Sequence, residues 1–283
     1  MREIDLHVHT TGSDSTCPPR EAVKLAKELG LRAIAVTDHD TAIAYAEAAE
    51  AGRELGLEVV PGIEISTRYD RPIHILGYYI DPKSPKLRPV LDWVVADRDR
   101  RNREMAALMA ADGLPVTYEE MKARFGEVID RPHFGRVLVE LGLARDVNDA
   151  FQRFIEKGQR YYRPRTIMST DQAVEIIAAA GGVPVLAHPY QYKKDDKELR
   201  ELIGHCMEHG LRGIECRYSG YVPERAAYLE GLAEEYGLLK TGGSDFHGDN
   251  KPQNHMGTGL AGELNVSYEW LQVLKEAAAK RKG

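Results

Sequence analysis

Cysteine is scarce: Cys17, Cys206 and Cys216 are the only three among 283 residues. Three is an odd number, and none stands at metal-binding spacing from another. That excludes a disulfide framework and points to a reducing compartment. Long apolar runs are also missing, since no stretch approaches the roughly 18 residues that a membrane span needs. No internal repeat or low-complexity tract appears. Met1-Arg2-Glu3 runs straight into a strand-like segment with no signal-peptide pattern, so cytoplasm is the expected location. Aromatic residues make up 7% and hydrophobic residues 43%, in keeping with a globular protein. Positive charge is not in excess; the net is −6, which argues against a generic polyanion binder.

The charge is uneven. From Ala96 to Arg165 there are 14 Lys and Arg against 12 Asp and Glu, so the rest of the chain carries −8. A mildly basic middle inside an acidic chain suits an anionic substrate, and equally a solvated helical face.

Short apolar runs alternate with helical patterns. Strands are expected at Ile4 to Val8, Arg32 to Val36, Glu58 to Val60 and Ile73 to Tyr79. Later ones are expected at Val183 to Ala187, Gly213 to Cys216 and Leu238 to Thr241. Helices lie between them: one opened by Pro18-Pro19 and stopped at Gly30, then Thr41 to Leu55, Thr170 to Ala180, Lys197 to His209 and Pro223 to Tyr236. A last helix covers Tyr268 to Lys280. About seven strands alternating with helices predict an α/β protein with a parallel sheet or barrel. Residues 85–165 break the alternation with helical runs alone. They read as a helical insertion, leaving 1–84 and 166–283 as the barrel.

The histidines fall at or just past strand ends. His7 and His9 are two apart on a strand, so both face one side. Thr37-Asp38-His39-Asp40 follows the second strand, Pro61-Gly62-Ile63-Glu64 the third, and His74 lies on the fourth. His188-Pro189 ends a strand, and Ser244-Asp245-Phe246-His247 follows the last. The C-terminal strand ends of a parallel barrel converge on one site. Six His, a Glu and one or more Asp would meet there, and buried charge of that density implies bound cations. Mixed imidazole and carboxylate donors suit Mn²⁺, Fe²⁺ or Zn²⁺. One His-x-His alone is a weak signal; the coincidence at five successive strand ends is strong. His205 and His209 stand four apart on one helix, but with no carboxylate context they read as ordinary helix residues. Gly242-Gly243-Ser244 lacks the lysine of a phosphate loop and reads as a tight turn delivering Asp245.

The order of these motifs resembles the polymerase-and-histidinol-phosphatase (PHP) superfamily of metallo-phosphoesterases. It is most similar to a stand-alone bacterial branch that includes 3′,5′-nucleotide bisphosphate phosphatases and 5′→3′ exonucleases acting on short RNA. The resemblance implies a distorted seven-stranded (β/α)7 TIM-like barrel with an inserted helical domain and two or three divalent ions. His7, His9, Glu64 and Asp245 would hold the first ion. Glu64 would bridge to a second ion, with His74 and His188. Asp14, His39 and His247 would hold a third. Asp38 would orient a ligand, or else cap a helix.

The resemblance extends to Ile129-Asp130-Arg131-Pro132-His133-Phe134-Gly135-Arg136 in the insertion. Arg131, His133 and Arg136 would bind a second phosphate through forked contacts, or His133 would donate a proton to the leaving group. Glu64, Asp245 and His133 are thus the expected catalytic residues. Gly158-Gln159-Arg160-Tyr161-Tyr162 departs from the branch's Gly-Lys-Pro-Gly-Tyr pattern, keeping Tyr162 and losing the Lys, for which Lys157 or Arg160 would compensate. Tyr190-Gln191-Tyr192 replaces a Gly-Arg-Tyr pattern. These tyrosines would stack on a base or simply pack in the core.

The expected reaction is hydrolysis of a nucleotide phosphate monoester, foremost a 3′,5′-bisphosphate, by a metal-activated water. Rivals are 5′→3′ trimming of short 5′-phosphorylated RNA, histidinol-phosphate hydrolysis, amidohydrolase-type C–N hydrolysis and a non-catalytic metal-binding module. Histidinol phosphate would leave the arginines without purpose, amidohydrolases often carry a carboxylated lysine that is absent here, and a dead module would have lost ligands. The expected partner is a small nucleotide or short RNA, with no membrane and no long duplex nucleic acid.

Overall fold

A computed structural model describes residues 3–126 and 128–282. Strands β1 (Ile4–Val8), β2 (Ala33–Val36), β3 (Glu58–Arg68), β4 (Pro72–Tyr78), β6 (Val183–Leu186), β7 (Gly213–Tyr218) and β8 (Leu239–Gly243) form one sheet in that order. A two-residue strand, β5 (Met168–Ser169), pairs with the far end of β3. The edges meet: the Phe246 amide donates to the His7 carbonyl at 3.3 Å and the His9 amide to the Phe246 carbonyl at 3.0 Å. The result is a nearly closed, barrel-shaped sheet, as expected for a distorted TIM-like barrel.

Two features depart from the expected all-parallel alternation. β4 runs antiparallel to both β3 and β6. Residues 69–71 alone join β3 to β4, and three residues cannot carry a parallel crossover. β3 is also far longer than Glu58 to Val60. Its first half pairs with β2 and its second half with β4, and Pro61 sits at the switch, where no continuous donor ladder is required. Glu64 is therefore a strand residue, not one that follows a strand.

Helices α1 (Pro19–Glu28), α2 (Tyr45–Leu55), α7 (Thr170–Ala179), α8 (Asp196–Glu208), α9 (Pro223–Tyr236) and α10 (Tyr268–Lys282) accompany the strands. α1 has Pro19 in its first turn and buries Ala22, Val23 and Ala26. α2 starts at Tyr45 rather than Thr41, because Thr41 and Ala42 are irregular and Ile43 and Ala44 form a turn, and it ends on Gly56 at φ 66°. Between β4 and β5 come α3 (Leu87–Ala111), α4 (Tyr118–Phe125), α5 (Arg131–Glu140), α6 (Val147–Ala150) and a π-helical turn at Phe151–Ile155. These enclose their own apolar cluster around Met105, Met109, Phe134 and Leu138. The start of α3 instead packs Leu87 and Val94 against Ile63, Ile177 and neighbours beside the barrel. Among the described residues no helix is long and apolar enough to cross a membrane.

Candidate metal centre

Nine side chains converge at one end of the barrel. His7 and His9 come from β1 and the residue after it. His39 lies past β2, His188 past β6, and Asp245 and His247 past β8. Glu64 comes from the middle of β3, and His74 from the early part of β4. Because β4 is antiparallel, its N-terminal half is the end that reaches the mouth. Asp14 arrives on the loop after β1.

Glu64 is the hub. Its Oε1 lies 3.0 Å from His74 Nδ1 and 2.9 Å from His188 Nε2. Its Oε2 lies 3.4 Å from His7 Nε2, 3.3 Å from His9 Nε2 and 3.1 Å from His39 Nδ1. Asp245 Oδ1 faces His7 Nε2 at 3.6 Å, His9 Nε2 at 3.3 Å and His247 Nδ1 at 3.4 Å. Asp14 stands 3.2 Å from His247 Nε2, 3.8 Å from His9 Nδ1 and 3.9 Å from His39 Nε2. Three groups of donors close enough to share an ion result: His7, His9, Glu64 and Asp245; His39, Glu64 and His74; His9, Asp14, His39 and His247.

The residues fit divalent cations. Buried atoms without any hydrogen-bond partner include His7 Nε2, both ring nitrogens of His9, His39 Nδ1, Glu64 Oε2 and His247 Nε2. Each such atom costs about 1–3 kcal/mol if nothing binds it. Their clustering around two carboxylates is the arrangement that an ion relieves. Burial pushes the Glu64 carboxyl up, but His74, His39 and His7 more than reverse this and hold it well below the usual range. Asp14 and Asp245 are likewise lowered against burial, by His247 and His39 for Asp14 and by Lys251 and His247 for Asp245. Burial drives His39 down to about 3, so that ring is neutral and ready to ligate.

A second layer holds these ligands. His7 Nδ1 lies 2.9 Å from Glu215 Oε1, and Glu215 Oε2 accepts from the His188 amide at 2.7 Å. Tyr218 donates to Asp245 Oδ2 at 2.7 Å, and Lys251 Nζ reaches the same oxygen at 2.7 Å. Asp38 accepts from the Thr10 amide and hydroxyl and from Ser13, each at 2.7 Å. It therefore fastens the loop that carries Asp14 and caps no helix. Three non-glycine residues of the mouth have positive φ: Asp40 at 56°, His188 at 22° and Asp245 at 54°. Such backbone is usually concentrated at functional sites. Gly242 and Gly243 are strand residues rather than a turn, because β8 stays paired with β7 as far as Gly243.

The insertion supplies one wall. Arg101, Arg131 and Arg165 line a cavity of about 200 Å³ together with Asp14, His39 and His74. Arg101 pairs with Asp130 at 2.7 Å and Arg165 with Asp40 at 3.1 Å. Arg98, buried beneath, pairs with Asp40 and lies 3.5 Å from Asp130. Arg131 makes no ion pair among the described residues and lies over the Phe151 ring at 5.4 Å. His133 Nδ1 accepts the Asp130 amide at 2.9 Å, so the neutral ring carries its proton on Nε2. Burial lowers its pKa, against the pull of Asp14 and Asp130. Arg136 donates to Asn250 at 3.1 Å, and Asn250 in turn donates to the Asp14 carbonyl at 2.5 Å.

Of the other expected contacts, Arg160 is exposed and paired with Asp112 at 2.6 Å, Lys157 is exposed, and Tyr162 is half-buried. Tyr161 packs in the insertion's core. Tyr192 is buried, with its hydroxyl donating to the Ala187 carbonyl at 2.7 Å and accepting from the His74 amide at 2.9 Å. Packing, not base stacking, accounts for both. Sequence reasoning missed Glu215, Tyr218, Lys251, Arg98 and Arg101. A glutamate inside the apolar β7 run was the one readable signal among them.

The sequence profile of the PHP domain matches residues 5–210 of this chain. A Haemophilus influenzae protein named 5′-3′ exoribonuclease is 34% identical over 87% of this chain and 90% of its own length. A Chromobacterium violaceum protein named 3′,5′-nucleoside bisphosphate phosphatase is 32% identical over 87% and 88%. A solved structure from Bifidobacterium adolescentis, assigned as a metal-dependent phosphoesterase, superposes with a TM-score of 0.84 at 32% identity, covering 96% of this chain and 95% of that one.

Proposed function

The chain belongs to the PHP domain family, a metal-dependent hydrolase acting on phosphoester bonds, and from that premise we propose that its substrate is a nucleotide bearing a second phosphate, foremost a 3′,5′-bisphosphate. One observation carries this reading: the arginine-lined cavity opens directly onto Asp14, His39 and His74. Arginine presents a planar fork that engages two phosphate oxygens at once. Arg101 and Arg165 are already oriented by Asp130 and Asp40, and Arg131 has no carboxylate to give up. Asp40 and Asp130 balance only two of the four arginines 98, 101, 131 and 165, so the wall keeps positive charge for an anion.

The reacting phosphate lies over the Glu64, Asp245 and histidine cluster, with Mn²⁺, Fe²⁺ or Zn²⁺ as the suitable ions. Bound ions of this kind neutralise phosphate charge and lower the pKa of water. Around them, Glu64 and Asp245 hold the ligand set in place. His133 offers its Nε2–H to the departing alkoxide, passing that proton to the oxygen as the P–O bond breaks. Arg131 grips the other phosphate.

A second reading is removal of nucleotides from the 5′ end of short RNA. It is supported by the relative named 5′-3′ exoribonuclease, whose identity to this chain is as high as that of the named phosphatase. The test is product release by Mn²⁺-loaded protein from adenosine 3′,5′-bisphosphate, AMP, histidinol phosphate and a 5′-phosphorylated RNA pentamer, with Arg131→Ala in parallel. The bisphosphate is expected to exceed AMP by about tenfold, equivalent to about 1.4 kcal/mol, and Arg131→Ala to erase that margin. Faster digestion of the RNA would favour the second reading. A preference for histidinol phosphate would overturn both.

A further inference from the structure

A second cluster of metal-type donors lies outside the barrel mouth, across α7 and α8. His205 and His209 are one turn apart on α8 and on one face of it. The sequence showed no carboxylate beside them, but the fold brings two there from α7. Asp171 Oδ1 lies 2.6 Å from His205 Nε2, and Asp171 Oδ2 lies 3.8 Å from His209 Nε2. Glu175 Oε1 lies 2.8 Å from His209 Nδ1. The carboxylates are 34 residues away in sequence from their histidines, which is why spacing along the chain could not reveal them.

We propose that Asp171, His205 and His209 form a surface zinc site that clips α7 to α8. The three donor atoms all lie within 4.8 Å of one another. A tetrahedral zinc with ligands at about 2.0–2.1 Å holds neighbouring donors about 3.3 Å apart. Bringing donors that lie within 4.8 Å of one another to that spacing takes shifts of at most about 1.5 Å. The side chains are about one-third exposed, so they have room to make them. Glu175 takes the Nδ1–H of His209, which leaves Nε2, on the side of the Asp171 carboxylate, as the nitrogen available to a metal. That is the carboxylate–histidine pairing that orients a metal-bound imidazole. Two imidazoles and one carboxylate suit zinc better than a hard cation, and water completes the coordination. The Tyr69 ring sits 4.9 Å from His205. Tyr69 belongs to the turn joining β3 to β4, at the end of that hairpin away from Glu64, so the site touches the hairpin only at its turn. The site does not depend on the phosphoesterase reading.

Metal-free full-length protein is titrated with Zn²⁺ against a chromophoric chelator, and bound equivalents are counted. The double variant His205→Ala/His209→Ala is expected to bind one equivalent fewer than the parent. Asp171→Asn, which keeps its size on the first turn of α7, is expected to weaken that equivalent tenfold or more. Mn²⁺-supported phosphoester hydrolysis is expected to stay unchanged in both, which separates this site from the barrel mouth. Equal zinc stoichiometry in the parent and the double variant would overturn the proposal, as would unaltered zinc affinity in Asp171→Asn.

Discussion

Nδ1 of His7 lies 2.9 Å from Oε1 of Glu215, and both side chains are fully buried. A carboxylate offers no proton, so His7 donates from Nδ1, which reserves Nε2, on the side of Glu64 and Asp245, for a metal ion. The other Glu215 oxygen takes the His188 amide. One buried carboxylate thus orients ligands from two strands. Glu215→Gln keeps the volume but sets an amide N–H against one of those two donors. Metal affinity is expected to fall about 10–100-fold while circular dichroism stays native. Mn²⁺ titration by calorimetry measures it; a change under twofold would show that the pairing does not tune the site.

Gly243 of β8 lies directly against His7 of β1. A methyl group there would come within 2.3 Å of the His7 Cβ and 2.4 Å of its backbone nitrogen. The obstacle is backbone, so relief requires moving β1 and both of its histidines. Gly243→Ala is expected to cost about 1–3 kcal/mol of stability by overpacking and to weaken metal binding at the same time. Urea unfolding and metal titration on one preparation check both. Lost affinity with unchanged stability would mean that the strand yields without strain.

This contact shows why part of the fold was hidden in the sequence. Gly242-Gly243-Ser244 looks like a turn because glycine is the commonest turn residue, yet here it allows two backbones to approach. Most of the candidate ligands were legible because strand ends punctuate the sequence and the motifs repeat there, whereas Asp14, on the loop after β1, was indicated only by the family resemblance. The antiparallel β4 was not, since a buried apolar strand reads the same in either direction; the three-residue link at 69–71 was the only cue. Arg98 and Arg101 were invisible for another reason. Both sit in α3 among Arg100 and Arg103, which are exposed, and only tertiary packing separates the buried pair from its neighbours. Asp171 and His205 became a pair only when α7 met α8.

Asp245 divides its two oxygens. Oδ2 is held by Tyr218 and Lys251, each at 2.7 Å, which turns Oδ1 toward His7, His9 and His247. Removing one support leaves the other. Tyr218→Phe is therefore expected to raise the Mn²⁺ concentration needed for half-maximal activity about tenfold, at the lower end for an outer partner. Adding Lys251→Met is expected to exceed the product of the two single effects, because the groups share one oxygen. Simple multiplicative behaviour would show that they act independently.

Asp130 carries the strongest pH prediction. Burial raises its carboxyl, but Arg98, Arg101 and Arg165 hold it well below its ordinary value of 3.8. A lowered folded pKa means that the native state binds its proton later than the unfolded chain does. The stabilisation is therefore full above pH 3.8 and drains away as pH falls from there toward the folded value. Asp130→Asn leaves Arg98 and Arg101, at 1% and 3% side-chain exposure, short of a counter-charge. Breaking a buried pair on one side costs about 3–5 kcal/mol, and the lower end applies because Asp40 still neutralises Arg98. Urea unfolding of parent and variant at pH 7, 5, 3.5 and 2.5 gives the difference directly. It is expected to be constant from pH 7 to 5 and to shrink below pH 4, as the parent's own carboxylate is titrated. A difference that persists undiminished at pH 2.5 would assign the loss to the helix cap and its packing, and would remove charge as the reason for Asp130.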